Sequence, residues 1–247
     1  MFLLHGTPGS RNGPRSRGIV HYRLDVRLIS YDRPGYPGSD RLLGSKAADT
    51  AEDVKAIADY FGIDRFSIVG RSGGAPHALA CAALLKDRVI CAVALGSLPQ
   101  RLTMCKAWDW SAGMADSNIR TYREAEADLA ALIATLKNQV KPVRNNSEGL
   151  LKLLWPEIAG HDKEVIGDIA LRRIIAQVHA EALGDGTADG WIDDVIALSR
   201  PWGFELSDIA VPVKLWSGSD DVFSRLSVYP EVLRVTRCEA GAAGEGR

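Results

Sequence analysis

The residues best suited to chemistry lie in Gly70-Arg71-Ser72-Gly73-Gly74, a G-x-S-x-G pentapeptide. A serine held on a sharp strand-to-helix turn can attack a carbonyl carbon, which would make this an acyl-transfer site. Glycines flank such a serine because the turn is strained and the backbones of strand and helix approach closely. The N-terminus of the following helix favours negative charge as it develops. The pentapeptide needs its context to mean anything, and the context fits. Phe66-Ser67-Ile68-Val69 reads as a strand feeding into Gly70, and a helix opens within three residues of Ser72, with Pro76 in its first turn. The competing reading is the glycine-rich turn of a phosphate-binding domain. Its signatures, G-x-G-x-x-G and G-x-x-x-x-G-K-[ST], do not occur.

Two other segments could complete such a site. His5-Gly6-Thr7-Pro8-Gly9 follows the first strand ending, where the backbone N–H of Thr7 can face the oxygen of a tetrahedral intermediate, with the N–H of Gly73 as second donor. Leu215-Trp216-Ser217-Gly218-Ser219-Asp220-Asp221 puts acids just past a late strand, and Asp221 is the better candidate than Asp220 for orienting a base. The same segment could also be a plain Gly/Ser/Asp turn. Trp108, Trp110 and Trp155 could line an apolar pocket or simply pack a core. No H-e-x-x-H pair, His/Cys cluster or EF-hand loop occurs, so neither metal nor cofactor is expected.

The elements that must hold these residues alternate in the first half. Strands are predicted at 2–4, 26–30, 66–69, 89–95 and 211–216, the fourth of them apolar enough to be buried on both faces. A helix with the apolar face Val54, Ile57, Ala58 and Phe61 follows Thr50, a candidate cap, and another spans Ala75 to Leu85. From Leu98 to Ser207 strand character gives way to helical periodicity, through Ile119, Tyr122, Leu132, Leu136, Ile175 and Val178. The expected fold is α/β: a doubly wound, mostly parallel sheet with an inserted helical lid. Residues 1–97 and 208–247 would form the core and 98–207 the lid.

His5-Gly6-Thr7-Pro8-Gly9-Ser10, Tyr31-Asp32-Arg33-Pro34-Gly35-Tyr36, the Ser72 pentapeptide and Gly218-Ser219-Asp220-Asp221 resemble, in order, the motifs of lid-bearing α/β-fold hydrolases. The resemblance runs from residue 2 to about Ser224 and implies the α/β-hydrolase fold, with Ser72 as nucleophile, Asp221 as acid and Thr7 and Gly73 as oxyanion donors. It also makes Asp32 and Arg33 part of a structural loop. Two departures stand out. Members of the family carry further strands before the His-Gly loop, and they have a histidine after the acid. Here all five histidines, His5, His21, His77, His161 and His179, precede Asp221. Residues 233–238 read as a last strand, and the segment after it resembles the family's histidine loop without its histidine. The chain therefore reads as lacking the N-terminal strands and the catalytic histidine, with an apolar strand edge at Phe2-Leu3-Leu4.

Composition narrows the partners. With 30 Lys+Arg against 31 Asp+Glu, the formal net charge is −1, which offers nothing to nucleic acid or an anionic membrane. The local positive charge of residues 11–17 lacks interleaved aromatics and reads as a solvated loop. Four cysteines without a C-x-x-C pair, no span of ~20 apolar residues and an apolar opening too short for a signal peptide point to a cytoplasmic protein acting on a small molecule. The oligomeric state is left open. Three readings follow: an esterase-like serine hydrolase acting on a small carboxylic ester or related acyl substrate, impaired by the absent histidine; a non-catalytic binding protein of the same fold; and a truncated or frame-shifted fragment of a hydrolase.

Overall fold

A computed structural model describes residues 1–13, 18–98, 111–218, 220–224 and 240–242. Trp108, Trp110, Cys105, Cys238 and the strand expected at 233–238 lie outside these residues. Among the described residues the sheet has five parallel strands in the order β1 (Phe2–Leu4), β2 (Phe66–Arg71), β3 (Val89–Leu95), β4 (Val213–Ser217) and β5 (Ala240–Ala242). Helix α1 (Gly18–Arg23) follows β1, α2 (Thr50–Tyr60) precedes β2, and α3 (Gly74–Leu84) joins β2 to β3. Among the described residues six helices lie between β3 and β4: α4 (Asp116–Ala127), α5 (Leu129–Asn145), α6 (Gly149–Leu154), α7 (Gly160–Ile166), α8 (Ile169–Leu183) and α9 (Asp189–Ser199).

The strand expected at 26–30 contracts to a single bridge. Leu3 N–H donates to Ile29 O at 2.8 Å, and Ile29 N–H donates to Met1 O at 2.9 Å. The alternating charges of Asp25 and Arg27 leave too little apolar sequence to extend the ladder. This bridge still matters. It covers the β1 edge that the sequence left open, and it sets the direction of the chain. From β1 the chain steps outward to Ile29, then returns past β1 to β2, while β2 continues through α3 the other way to β3. The reversal between β1 and β2 opens a crevice at the carboxyl ends of those strands, where ligands bind in open α/β sheets. The loops after β1 and β2 carry Thr7 and Ser72.

Phe2, Leu4, Phe66, Ile68, Val89, Ala92 and Ala94 pack with α2 and α3 into the main core. The β3 strand alternates instead of being buried on both faces, and Ile90 is 46% exposed. Phe61, expected on the packed face of α2, caps the helix and is also exposed. Thr50 is the first helical residue rather than the cap; its hydroxyl pairs with His77 Nδ1 at 2.7 Å. Helices α5, α6, α8 and α9 build a second core around Leu132, Leu136, Leu150, Leu183 and Ile192, into which Tyr36 inserts from the early loop. The Asp128 and Asp168 side chains cap α5 and α8 by accepting from Ala131 and Leu171 N–H at 3.0 and 2.9 Å. Among the described residues no helix is long and apolar enough to cross a membrane.

Candidate active site

Ser72 stands at the carboxyl end of β2 with φ +50°, a left-handed backbone that costs a non-glycine residue roughly 1–2 kcal/mol. Its N–H donates to Leu95 O at 2.7 Å, and its carbonyl accepts from Ala75 N–H at 2.9 Å, so the turn is tied to both β3 and α3. The flanking glycines are required by contact. A Cβ on Gly70 would sit 2.2 Å from Gly74 O, and one on Gly73 would sit 2.3 Å from Thr7 Oγ1 and 3.3 Å from Thr7 N. The loops after β1 and β2 therefore touch at Thr7 and Gly73. Among the described residues neither of these N–H groups has an acceptor. Gly6 lies against the serine, where a Cβ would come 4.0 Å from Ser72 Oγ.

Asp221 reaches the same edge of the sheet from β4. Its Oδ1 accepts from the N–H groups of Phe223 and Ser224, both at 2.9 Å, and its Oδ2 accepts from Ser224 Oγ at 2.8 Å. Gly96, just past β3 with φ +56°, leaves room for it: a Cβ there would lie 3.4 Å from Asp221 Oδ2. Asp220 turns outward, 4.0 Å from His161 Nε2, and both side chains are exposed.

The loop bearing Thr7 rests on a buried polar network that the sequence alone does not reveal. Asp194 of α9 accepts from Thr7 Oγ1 at 2.6 Å, Tyr36 OH at 2.7 Å and Arg33 Nη2 at 2.5 Å. Arg33 also donates to His5 O at 2.5 Å and to Thr7 Oγ1 at 3.1 Å. Despite burial, the Arg33 charge and the neighbouring His77 hold the Asp194 carboxyl far below the usual range. Two acids, Asp193 and Asp194, inside the apolar helix Trp191-Ile192-x-x-Val195 are the one trace of this network in the sequence.

The histidines divide sharply. His5 is buried, with Nδ1 on Gly6 O at 2.8 Å and Nε2 accepting from Arg33 N–H at 3.2 Å. His77 is buried between Thr50 and Asp194, with Nε2 3.6 Å from Asp194 Oδ1. His179 of α8 shares a cavity of about 290 Å³ with Ser72, Gly6, Thr7 and Gly73. Its Nδ1 is enclosed without a hydrogen-bond partner. Burial first, and the charge of Arg71 second, push its pKa down to about 4, so the ring is neutral near pH 7. Arg71 lines the cavity too, and apolar residues of the helical block, including Leu150, Leu154, Ile175 and Val195, form much of its wall. Trp191 lines it; Trp155 instead stacks beneath Arg172 at 5.5 Å. Among the described residues no group of three or more His, Cys, Asp or Glu side chains is placed to hold a metal ion.

Comparison with known proteins agrees with this architecture. Residues 1–160 match the family described as the alpha/beta hydrolase fold. A 2-hydroxy-6-oxononadienedioate/2-hydroxy-6-oxononatrienedioate hydrolase from Paraburkholderia phymatum is 32% identical over 99 residues, 36% of this chain. That match spans only 33% of the relative's length, about a third. Among solved structures, a bromoperoxidase from Bacillus anthracis superposes with TM-score 0.67 at 17% identity, covering 98% of this chain and 82% of that one. An enol-lactonase from Burkholderia xenovorans gives TM-score 0.64 at 15% identity, with the same coverage of 98% and 82%. These two likenesses speak for the fold. With the strained turn at Ser72, the parallel sheet and the family match over residues 1–160, the chain belongs to the α/β-hydrolase family.

Proposed function

We propose that this α/β hydrolase is a serine-nucleophile enzyme that cleaves a small carboxylic ester or related acyl substrate. The observation that carries the reading is the meeting of Ser72, in its left-handed turn, with the free N–H groups of Thr7 and Gly73 at the crevice between β1 and β2. Ser72 Oγ would attack the carbonyl carbon, and the two N–H groups would hold the oxygen as it gains charge. Residues 98–207 act as the lid, since their helices wall the cavity over Ser72. The relative from Paraburkholderia phymatum is a hydrolase and the Burkholderia xenovorans neighbour a lactonase, which accords with acyl cleavage. The free cysteines Cys81 and Cys91 suit a cytoplasmic setting.

The proton leaving Ser72 needs a base, and here a second reading has its own support. Asp221 spends both oxygens on its own loop, and the imidazole in the cavity, His179, is only weakly basic. Without a base near Ser72, the oxyanion donors and binding leave an acceleration of roughly 10³–10⁴ over water. A non-catalytic binding protein with the same cavity would look alike. A fluorophosphonate probe separates the two. Labelling of the native chain that disappears in Ser72→Ala supports the hydrolase. A folded chain that never labels while retaining ligands in its cavity establishes the binding protein instead.

A further inference from the structure

Four arginines that tie segments of the fold together have carboxylate partners. Arg33 meets Asp194 at 2.5 Å, Arg41 meets Asp193 at 2.7 Å, Arg88 meets Asp59 at 3.0 Å and Arg172 meets Glu148 at 2.9 Å. Arg71 does not. Among the described residues its side chain has neither an ion pair nor a hydrogen bond. It lines the cavity beside Ser72, to which it is joined through the chain. Arg71 is exposed overall, and it lines the cavity wall, where the surroundings desolvate the guanidinium enough to lower its pKa. An unpaired arginine at a cavity wall favours an anion that can form paired hydrogen bonds with its fork.

The cavity is polarised around it. Arg71 and the enclosed His179 stand together, and Arg71 is the sole formal cation among the described lining residues. Asp162 lines the cavity elsewhere, and its carboxyl pKa is raised by burial and then by the nearby Asp221 charge. The rest of the wall includes Leu98, Leu150, Leu154 and Trp191. A carboxylate is welcome at Arg71, a second one near Asp162 is repelled, and the apolar wall suits a short carbon chain.

We propose that the Ser72 cavity takes a short acyl substrate bearing one free carboxylate, such as a dicarboxylic half-ester, and that Arg71 receives that carboxylate. This rests on the hydrolase reading for its substrate, while the carboxylate subsite itself stands on the unpaired arginine in the cavity. Arg71 is a binding residue and takes no part in bond making.

Two measurements test it, one of which needs no turnover. In Ser72→Ala, calorimetry with monomethyl glutarate should show binding that exceeds that of methyl butyrate. Adding Arg71→Gln should weaken it roughly tenfold to hundredfold, the worth of charge-assisted hydrogen bonds, and Arg71→Lys should recover part of it. In the native chain, the ratio of kcat/KM for 4-nitrophenyl hydrogen glutarate to that for 4-nitrophenyl butyrate should exceed one and collapse in Arg71→Gln. Carboxylate binding without fluorophosphonate labelling keeps the subsite and removes the hydrolase. Labelling at Ser72 with equal binding of both esters, or a preference that Arg71→Gln leaves unmoved, overturns the subsite and keeps the hydrolase. If Ser72→Ala binds neither ester, the subsite is overturned as well.

Discussion

Arg33, bonded to Thr7, and Arg71, which lines the cavity with Thr7, have opposite surroundings. Arg33 lies below the loop, fully enclosed, donating to His5 O, Gly6 O, Thr7 Oγ1 and both oxygens of Asp194. Arg71 lies in the cavity above and donates to nothing among the described residues. A buried charge is tolerated when it is paired and its hydrogen bonds are complete, as at Arg33. Arg71, exposed at the cavity wall and unpaired among the described residues, is placed instead to meet what enters the cavity. The contrast separates the scaffold of the site from its recognition surface.

The comparison breaks most readily at Asp194. Asp194→Ala leaves Arg33 charged, enclosed and without its counter-ion, which should cost about 3–5 kcal/mol in urea unfolding. Arg71→Gln should change stability by no more than about 0.5 kcal/mol, because its side chain has no partner among the described residues. Equal losses in the two variants would show that the two arginines do the same work. The Asp194 contribution also has a definite pH sense. Its folded pKa lies below its unfolded one, so the stabilisation is complete above the ordinary carboxylate range and is lost as pH falls through and below it.

His179 sharpens the contrast at a smaller scale. Its folded pKa is pushed down to about 4 against 6.5 for the free side chain. Between those values the unfolded chain binds a proton that the folded chain refuses, so stability rises with pH across this window and is lost as pH falls from 6.5 towards 4. At about 1.4 kcal/mol per pH unit over this window, the total is at most ~3.5 kcal/mol. His179→Gln should flatten that part of the stability profile. Removing the neighbouring charge in Arg71→Gln should raise the His179 pKa, which the ring-proton shifts in an NMR titration would report. An unmoved titration would mean that Arg71 does not face the imidazole.

Local signals in the sequence translated well. The strand leading to Gly70 and the helix after Ser72 are encoded within a dozen residues, and β3 occupies the residues expected of it. Its exposed Ile90 was not legible, because whether a run of apolar residues is covered on one face or two depends on distant segments. The 26–30 strand shrank for a similar reason: pairing requires a partner edge, and only Ile29 finds one. Within the site, Ser72, Thr7 and Gly73 are brought together as the motif order implied, and Asp221 arrives at the same sheet edge through Gly96. What spacing could not show was pairing between residues far apart in the chain. Arg33 and Asp194 are separated by 161 positions, and Arg71 and His179 meet only because α8 crosses the crevice. The Asp-Asp step in the apolar α9 hints that a cation is buried nearby without saying which one.

The smallest effect concerns the turn that carries both Arg71 and Ser72. Ser72 holds φ +50°, which any residue with a Cβ resists and glycine adopts freely. Ser72→Ala and Ser72→Gly both delete the hydroxyl, so their difference isolates the backbone. Glycine gains by relieving the strain and loses about 0.5–1 kcal/mol through its freer unfolded chain, which leaves Ser72→Gly ahead by about 0.5–1 kcal/mol. For a chain of this length that is a rise of roughly 2–4 °C in Tm at the upper end. Should Ser72→Gly prove no more stable than Ser72→Ala, the turn carries no strain, and holding a side chain at this position costs the fold nothing. A measured gain would place Ser72 beside Arg71 as a residue whose conformation or charge makes no sense in folding terms alone, with Arg33 and Asp194 beneath them supplying the stability that lets the site keep both.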